Sequence, residues 1–266
     1  MLGPEFRYKS TVTTAAVLAV ILVVQVYASA AEPNAQSVNS PPDLATLIQN
    51  ITNAQIANRM HIKPYSVVRE YKVFEAGAER PRTQVVARVS FLPPDQKSYE
   101  IDRSTGGMGG TVIRHILDHE VDAARDPREL IVSGDNYKFD YLGEDVLDGQ
   151  PCHKLRISSK HDRKELLNGT IWVDKANYRI LRMEGEPAKS PSFWVKDVHI
   201  VLEFRDVAGM WMQNATHATA HVRFGGEYNV ISQDLDYDVG SAVAANSRLN
   251  HHHRRALIAA DVQALR

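Results

Sequence analysis

From residue 65 onward the chain alternates apolar and polar positions in one short run after another. Val85, Ala87, Val89 and Phe91 share one face of a run over 83–92, with Gln84, Arg88 and Ser90 between them. Tyr137, Phe139 and Tyr141 repeat the pattern, as do Val198, Ile200, Leu202 and Phe204. A period of two places successive side chains on opposite faces of a strand, so these runs predict half-buried strands. The same reading predicts strands over 65–75, 97–103, 136–146, 152–159, 169–174, 177–185, 193–205, 210–224 and 227–239. In "GTIWVDKANYRILRMEGEP", residues 169–187, Ile171 and Val173 alternate with Trp172, and Tyr178 and Ile180 oppose Leu181 and Met183, which reads as a hairpin around a polar turn. Pro93-Pro94-Asp95 supplies another turn.

Two segments follow the helical period instead. Asp43 can cap a helix carrying Leu44, Leu47, Ile48, Ile51 and Ala54, ending near Met60. After "STGGMGG" at 104–110, a second helix is predicted with Val112, Ile113, Ile116, Leu117 and Val121 on one stripe. About ten strands joined mostly by short turns must run antiparallel. Two helices offer limited surface to cover them. The expectation is a mainly β, α+β domain over 43–240: either a closed barrel with a filled interior, or a curved, incomplete antiparallel barrel whose helices act as a lid over an incompletely filled cavity.

Composition changes this picture little: 44% hydrophobic residues suffice for a core, and a formal charge of −1 argues against nucleic acid as a partner. The N-terminus changes it more. Arg7 and Lys9 precede an apolar run that ends at the small residues Ala28 and Ala30, the three parts of a secretory signal over 1–31. Cleavage after Ala30 or Ala31 is expected; an uncleaved anchor is the alternative, and both place the rest of the chain outside the cytoplasm. The expected address is periplasmic. Residues 32–42 read as a linker, and 241–266 as a polar tail with His251–Arg255 and a possible short helix. Cys152 is the single cysteine, so no internal disulfide can form.

Three stretches in order, "NYKFDYLGEDVLDGQPCHKLRIS", "GTIWVDKANYRILRMEGEP" and "VLEFRDVAGMWM", resemble the bacterial outer-membrane lipoprotein-sorting proteins, the LolA-like group. The matching features are G-x-x-C-x-x-L from Gly149 to Leu155 and the "WVD…ILR" hairpin. The likeness is clear in wording over about 136–213. It implies a curved, incomplete antiparallel barrel with helices as a lid and an apolar cavity that holds lipoprotein acyl chains or another lipid. The same fold also serves envelope sensors that bind a protein partner. That leaves two functions open, a carrier and a sensor or scaffold, with an envelope membrane protein as a possible partner and a monomer expected.

Candidate chemistry is sparse. The Gly-rich loop lacks the Lys-Ser/Thr of a phosphate loop, since Gly110 is followed by Thr111-Val112. Gly106, Gly107 and Gly109 are therefore read as the hinge of a lid helix. His115 and His119 lie four residues apart on one helix face, but no HExxH arrangement accompanies them. His217 and His221 are assigned to the outer face of a strand. Cys152 and His153 are adjacent in a strand and point to opposite faces, so they cannot act as nucleophile and base. No enzyme, cofactor or metal site is expected. The remaining candidates are apolar: Val85, Val89, Phe91, Tyr99, Tyr137, Phe139, Tyr141, Ile171, Val198, Ile200 and Leu202 are expected to share one concave face, as the wall of a cavity or as a dry core.

Overall fold

The computed structural model describes residues 43–240 except 106 and 224; the signal segment, the linker and the His-Arg tail lie outside the described residues. Helix α1 spans Leu44–His61 and leads into strands β1 (Tyr65–Glu75), β2 (Thr83–Leu92) and β3 (Gln96–Ser104). Helix α2 (Gly107–Ala123) and a 3₁₀ turn (Pro127–Leu130) follow. The chain then runs through β4 (Tyr137–Leu147), β5 (Gln150–Ser159), β6 (Leu167–Asp174), β7 (Ile180–Pro187), β8 (Val195–Val207), β9 (Met210–Val222) and β10 (Gly226–Val239).

All ten strands form one sheet in the order β3-β2-β1-β10-β9-β8-β7-β6-β5-β4. Every neighbouring pair is antiparallel. Two features set the topology: β10 pairs back with β1, and the segment holding α2 connects one edge strand, β3, to the other, β4. Strands β3 and β4 end the sheet, so it is an incomplete barrel rather than a closed one. Register shifts interrupt β1, β2, β4, β6 and β8, and bulges of this kind bend and twist a sheet. Gly169 and Gly185 face each other across β6 and β7. A Cβ on Gly169 would collide with the Glu184 carbonyl and the Gly185 Cα, so only glycine permits this approach.

Directly opposed residues point to the same side of a sheet. The register carries one face continuously from Val85 through Tyr71, Ser232, Thr216, Leu202, Met183 and Ile171 to Leu155. Both helices pack on this inner face. Leu47 and Ile51 of α1 join Tyr137, Leu155, Ile157, Ile171, Val173 and Met183 in one core. Ile113 and Leu117 of α2 join Tyr65, Val67, Tyr71, Val85, Ala87 and Val89 in the other. The outer face is polar: Trp172 stands there with its indole N–H donating to Asp145 Oδ2 at 3.0 Å and Lys154 over its ring at 5.0 Å.

Two local readings shift. Val112, expected on the buried stripe of α2, is 46% exposed, because Ile113 and Leu117 take the sheet side and their neighbour turns away. The hairpin's second strand starts at Ile180 rather than 177. The buried Asp174 carboxylate accepts from the N–H groups of Ala176 and Asn177 at 2.6 and 2.9 Å, which folds 175–179 into the turn and holds Tyr178 at φ 59°.

Candidate functional site

The eleven apolar candidates all stand on the inner face, and the two helices divide them. Val85, Val89, Phe91 and Tyr99 lie with α2. Tyr137, Phe139, Tyr141, Ile171, Ile200 and Leu202 lie with α1. Val198 shares the face of Ile200 by alternation along β8 and is half-buried. Val85, Val89, Tyr137 and Ile171 are closed off at 3% exposure or less. Phe91, Tyr99, Phe139, Tyr141, Ile200 and Leu202 are only half-buried.

Between the two cores lies a strip whose floor residues belong to neither. Its floor is β9, where Thr216, Ala218 and Ala220 face inward and are half-buried. Ile200 and Leu202 of β8 flank Ala218 and Thr216 on one side, and Val230 of β10 flanks Ala218 on the other. Small side chains on the floor and larger apolar ones along both sides make a shallow apolar channel. Neighbouring strands lie roughly 4.8 Å apart, so the backbones of β8 and β10 on either side of this floor are roughly 10 Å apart.

The helices that border it are fastened differently. Helix α1 begins at Asp43, whose carboxylate accepts from the Thr46 N–H at 3.1 Å. Gln55 brackets the Val132 backbone, donating to its carbonyl at 2.9 Å and accepting from its N–H at 3.0 Å. Asn58 does the same to Trp211, at 2.8 and 2.7 Å. Helix α2 is held by ions. The Arg69 guanidinium on β1 donates through Nη1 to both Glu120 carboxylate oxygens at 3.0 Å and pairs with Asp234 of β10 through Nε. Lys97 of β3 reaches Glu120 at 2.8 Å, and Tyr71 donates to it at 3.4 Å. Tyr237 donates to Asp234. Burial pushes the Glu120 carboxyl upward, but the Lys97 and Arg69 cations outweigh it and hold the group below its ordinary range. Burial raises the Tyr65 hydroxyl to about 12.

The hinge candidates separate. Gly106 is outside the described residues. Gly107 opens α2 at φ +79°, a backbone state that favours glycine. Gly109 has a packing role: a Cβ there would run into the Thr83 side chain, so this glycine lets the first turn of α2 sit against β2.

The polar candidates do not converge. His115 is exposed, and His119 lies 3.2 Å from Glu165. His119, Glu129, Arg163 and Glu165 line part of a small cavity of about 140 Å³. His217 and His221 are exposed on the outer face. Cys152 is fully buried with its thiol donating to the Asp145 carbonyl at 3.3 Å, whereas the His153 ring faces the Tyr141 hydroxyl. Burial raises the Cys152 thiol and lowers the His153 imidazole, so each favours its neutral form. Among the described residues no group of three or more His, Cys, Asp or Glu side chains is arranged to hold a metal ion, and no helix is long and apolar enough to cross a membrane.

Two features escaped the sequence reading. The ion cluster is one; its signal was Arg69 at an inward position among Tyr65, Val67, Tyr71 and Val73. The other is the β7–β8 loop, where Phe193 and Trp194 stand 69% and 57% exposed with Arg223 4.3 Å over the Phe193 ring.

No protein-family model and no curated protein matches this chain. Solved structures do align with it. An outer membrane lipoprotein-sorting protein domain from Vibrio parahaemolyticus aligns over 74% of this chain and 94% of its own, at 13% identity and TM-score 0.43. A LolA superfamily protein from Nitrosomonas europaea aligns over 72% and 93%, at 10% identity and TM-score 0.35. MucB in the Pseudomonas aeruginosa MucA/MucB complex aligns over 73% and 98%, at 9% identity and TM-score 0.24. The chain's similarities thus fall among LolA-superfamily and lipoprotein-sorting structures at low identity, and a likeness at this level transfers no ligand and no partner.

Proposed function

We propose that this protein is an extracytoplasmic carrier that holds acyl chains, of a lipoprotein or another lipid, along the uncovered strip of its inner face. The observation that carries the reading is the channel itself: an apolar strip on the helix-covered side of the sheet, floored by Thr216, Ala218 and Ala220 and left half-exposed between two closed cores. A dry core would fill that position with large side chains. Each methylene transferred from water to such a surface contributes ~0.8 kcal/mol, so a long chain needs few polar contacts to bind. The N-terminal charge, apolar run and small residues support placement outside the cytoplasm.

A second reading, a sensor or scaffold with a protein partner, draws on the exposed Phe193–Trp194 pair at the rim and on a channel that is open rather than enclosed. Native mass spectrometry of the protein purified from its own compartment, with extraction of bound lipid, separates the two. The carrier reading predicts a stoichiometric lipid or acylated peptide. A ligand-free mass, together with no uptake of an added fluorescent fatty acid, would leave only the partner-binding reading.

A further inference from the structure

Three neighbouring turns meet at one end of the sheet. In the strand order the hairpins β5–β6, β7–β8 and β9–β10 lie side by side, and their turns, 160–166, 188–194 and 223–225, fall at the same end. The turns are joined to one another. The Ala188 N–H donates to the Leu166 carbonyl at 2.7 Å, and the Arg223 N–H donates to the Trp194 carbonyl at 2.8 Å. Within 188–194 the Ser190 hydroxyl donates to the Ser192 and Val195 carbonyls at 2.9 and 3.0 Å. The Trp194 N–H donates to the Ser192 hydroxyl at 3.2 Å. A loop bonded to itself and to its neighbours in this way fixes where Phe193 and Trp194 stand.

They stand in solvent. Their rings meet edge-on at 5.4 Å, and neither belongs to a core. Among the exposed large hydrophobic side chains of the described residues they are the only aromatics. Two adjacent rings held out of the core mark a contact surface, and the charges around them select the partner. Lys160, Lys164 and Lys189 are exposed on the same turns, and the Arg223 guanidinium lies 4.3 Å over the Phe193 ring. The three turns hold five cations against two anions, Asp162 and Glu165. Arg163 pairs with Glu129 outside the turns, which still leaves a positive excess. Two rings on one loop are too little for a specific protein interface, which buries about 800 Å² on each partner. Rings flanked by lysine and arginine do match the headgroup layer of a bilayer. An indole seats its apolar body and its polar N–H together there, and cations meet lipid phosphates.

We propose that this end of the sheet docks on a bilayer surface containing anionic lipid, with Phe193 and Trp194 seated in the headgroup layer and Lys164, Lys189 and Arg223 against the lipid phosphates. The inner-face strip runs to the same end: Ala218 and Ala220 lead along β9 to Val222, which pairs with Val195 beside Trp194. Docking therefore turns one end of the strip towards the membrane. The proposal stands on the loop and its charges and does not rest on the carrier reading.

The test uses the protein purified from its own compartment and vesicles of phosphatidylcholine alone or of equal parts phosphatidylcholine and phosphatidylglycerol. Each vesicle is made with ordinary and with chain-brominated lipid, and tryptophan fluorescence is read, because bromine quenches only an indole at the bilayer. Circular dichroism first matches each variant to the parent. Brominated anionic vesicles should quench the parent, and Trp194→Leu, which keeps Trp172 and Trp211, should lose that quenching. Lys164→Gln and Lys189→Gln should each weaken the affinity for anionic vesicles about fivefold, and added salt should weaken the parent in the same direction. Quenching that survives in Trp194→Leu, or that is equal on neutral and anionic vesicles, overturns the proposal. So does an absence of quenching on both. A parent that self-associates in sedimentation while Phe193→Ala does not, with no vesicle binding by either, assigns the pair to a second copy instead. None of these results depends on fatty-acid uptake, so the carrier reading stands or falls separately.

Discussion

Glu120 carries the ion pairs that tie α2 to the sheet. Its carboxyl titrates below the ordinary glutamate value of 4.5, because Lys97 and Arg69 outweigh the cost of burial. A group whose folded value is depressed contributes stability that is present above its unfolded value and lost as pH falls through the folded one. The contribution should therefore be complete at pH 7 and fade below about 4.5. Urea midpoints of the parent and Glu120→Gln should differ at pH 7, with the parent more stable, and converge as the pH is lowered towards 3.5. A gap that stays constant over this range would show that the carboxylate's charge does not hold the helix. The cluster was partly legible in the sequence. Arg69 is a charge on a strand face otherwise apolar, and Glu120 lies three and seven residues after Leu117 and Ile113. Their meeting was not legible, because it depends on the pairing of β1 with β10, which period-two alternation does not specify.

At the scale of elements, the alternation located every strand and both helices within a few residues, since one apolar face per element is what burial on a single sheet side requires. What it missed were backbone features. Asp174 draws 175–179 out of the strand through its own hydrogen bonds, and the Gly169–Gly185 pair lets β6 and β7 approach closely. The latter leaves no trace in a hydrophobicity pattern, because glycine is silent there. It makes a clear prediction nonetheless. Gly169→Ala would drive a Cβ into the backbone of β7, which cannot move aside as a flexible side chain could, and should destabilise by about 3 kcal/mol, the upper end for overpacking. Gly134, exposed and with no atom near its Cβ position, is the control. Gly134→Ala should stay within about 0.5 kcal/mol of the parent by urea unfolding. Equal effects at both sites would mean the β6–β7 approach is looser than described.

Residues 43–240 form a sheet with a surplus of inner face. Ten strands present more apolar surface than two helices cover, and the part outside both cores includes Thr216, Ala218 and Ala220 of β9, where the side chains are small. The sequence showed the surplus, ten strands against two helices, but not its place. The eleven apolar candidates were chosen by alternation alone, which cannot separate a residue sealed at 0%, such as Ile171, from half-buried Ile200 and Leu202. Ala218 and Ala220 were overlooked because small residues weigh little in an apolar pattern, although a channel floor requires them. As a carrier, the protein would hold a hydrocarbon chain on this strip. Methyl NMR spectra recorded with a stearate carrying a nitroxide near its tail test it directly, because the spin label broadens only signals close to it. The Ile200, Leu202, Ala218 and Val230 methyl signals should be lost, with those of Ile231 and Leu235, exposed at 37% and 54% away from the channel, left intact. Broadening centred on Ile231 and Leu235, or none at any of these residues, would contradict it.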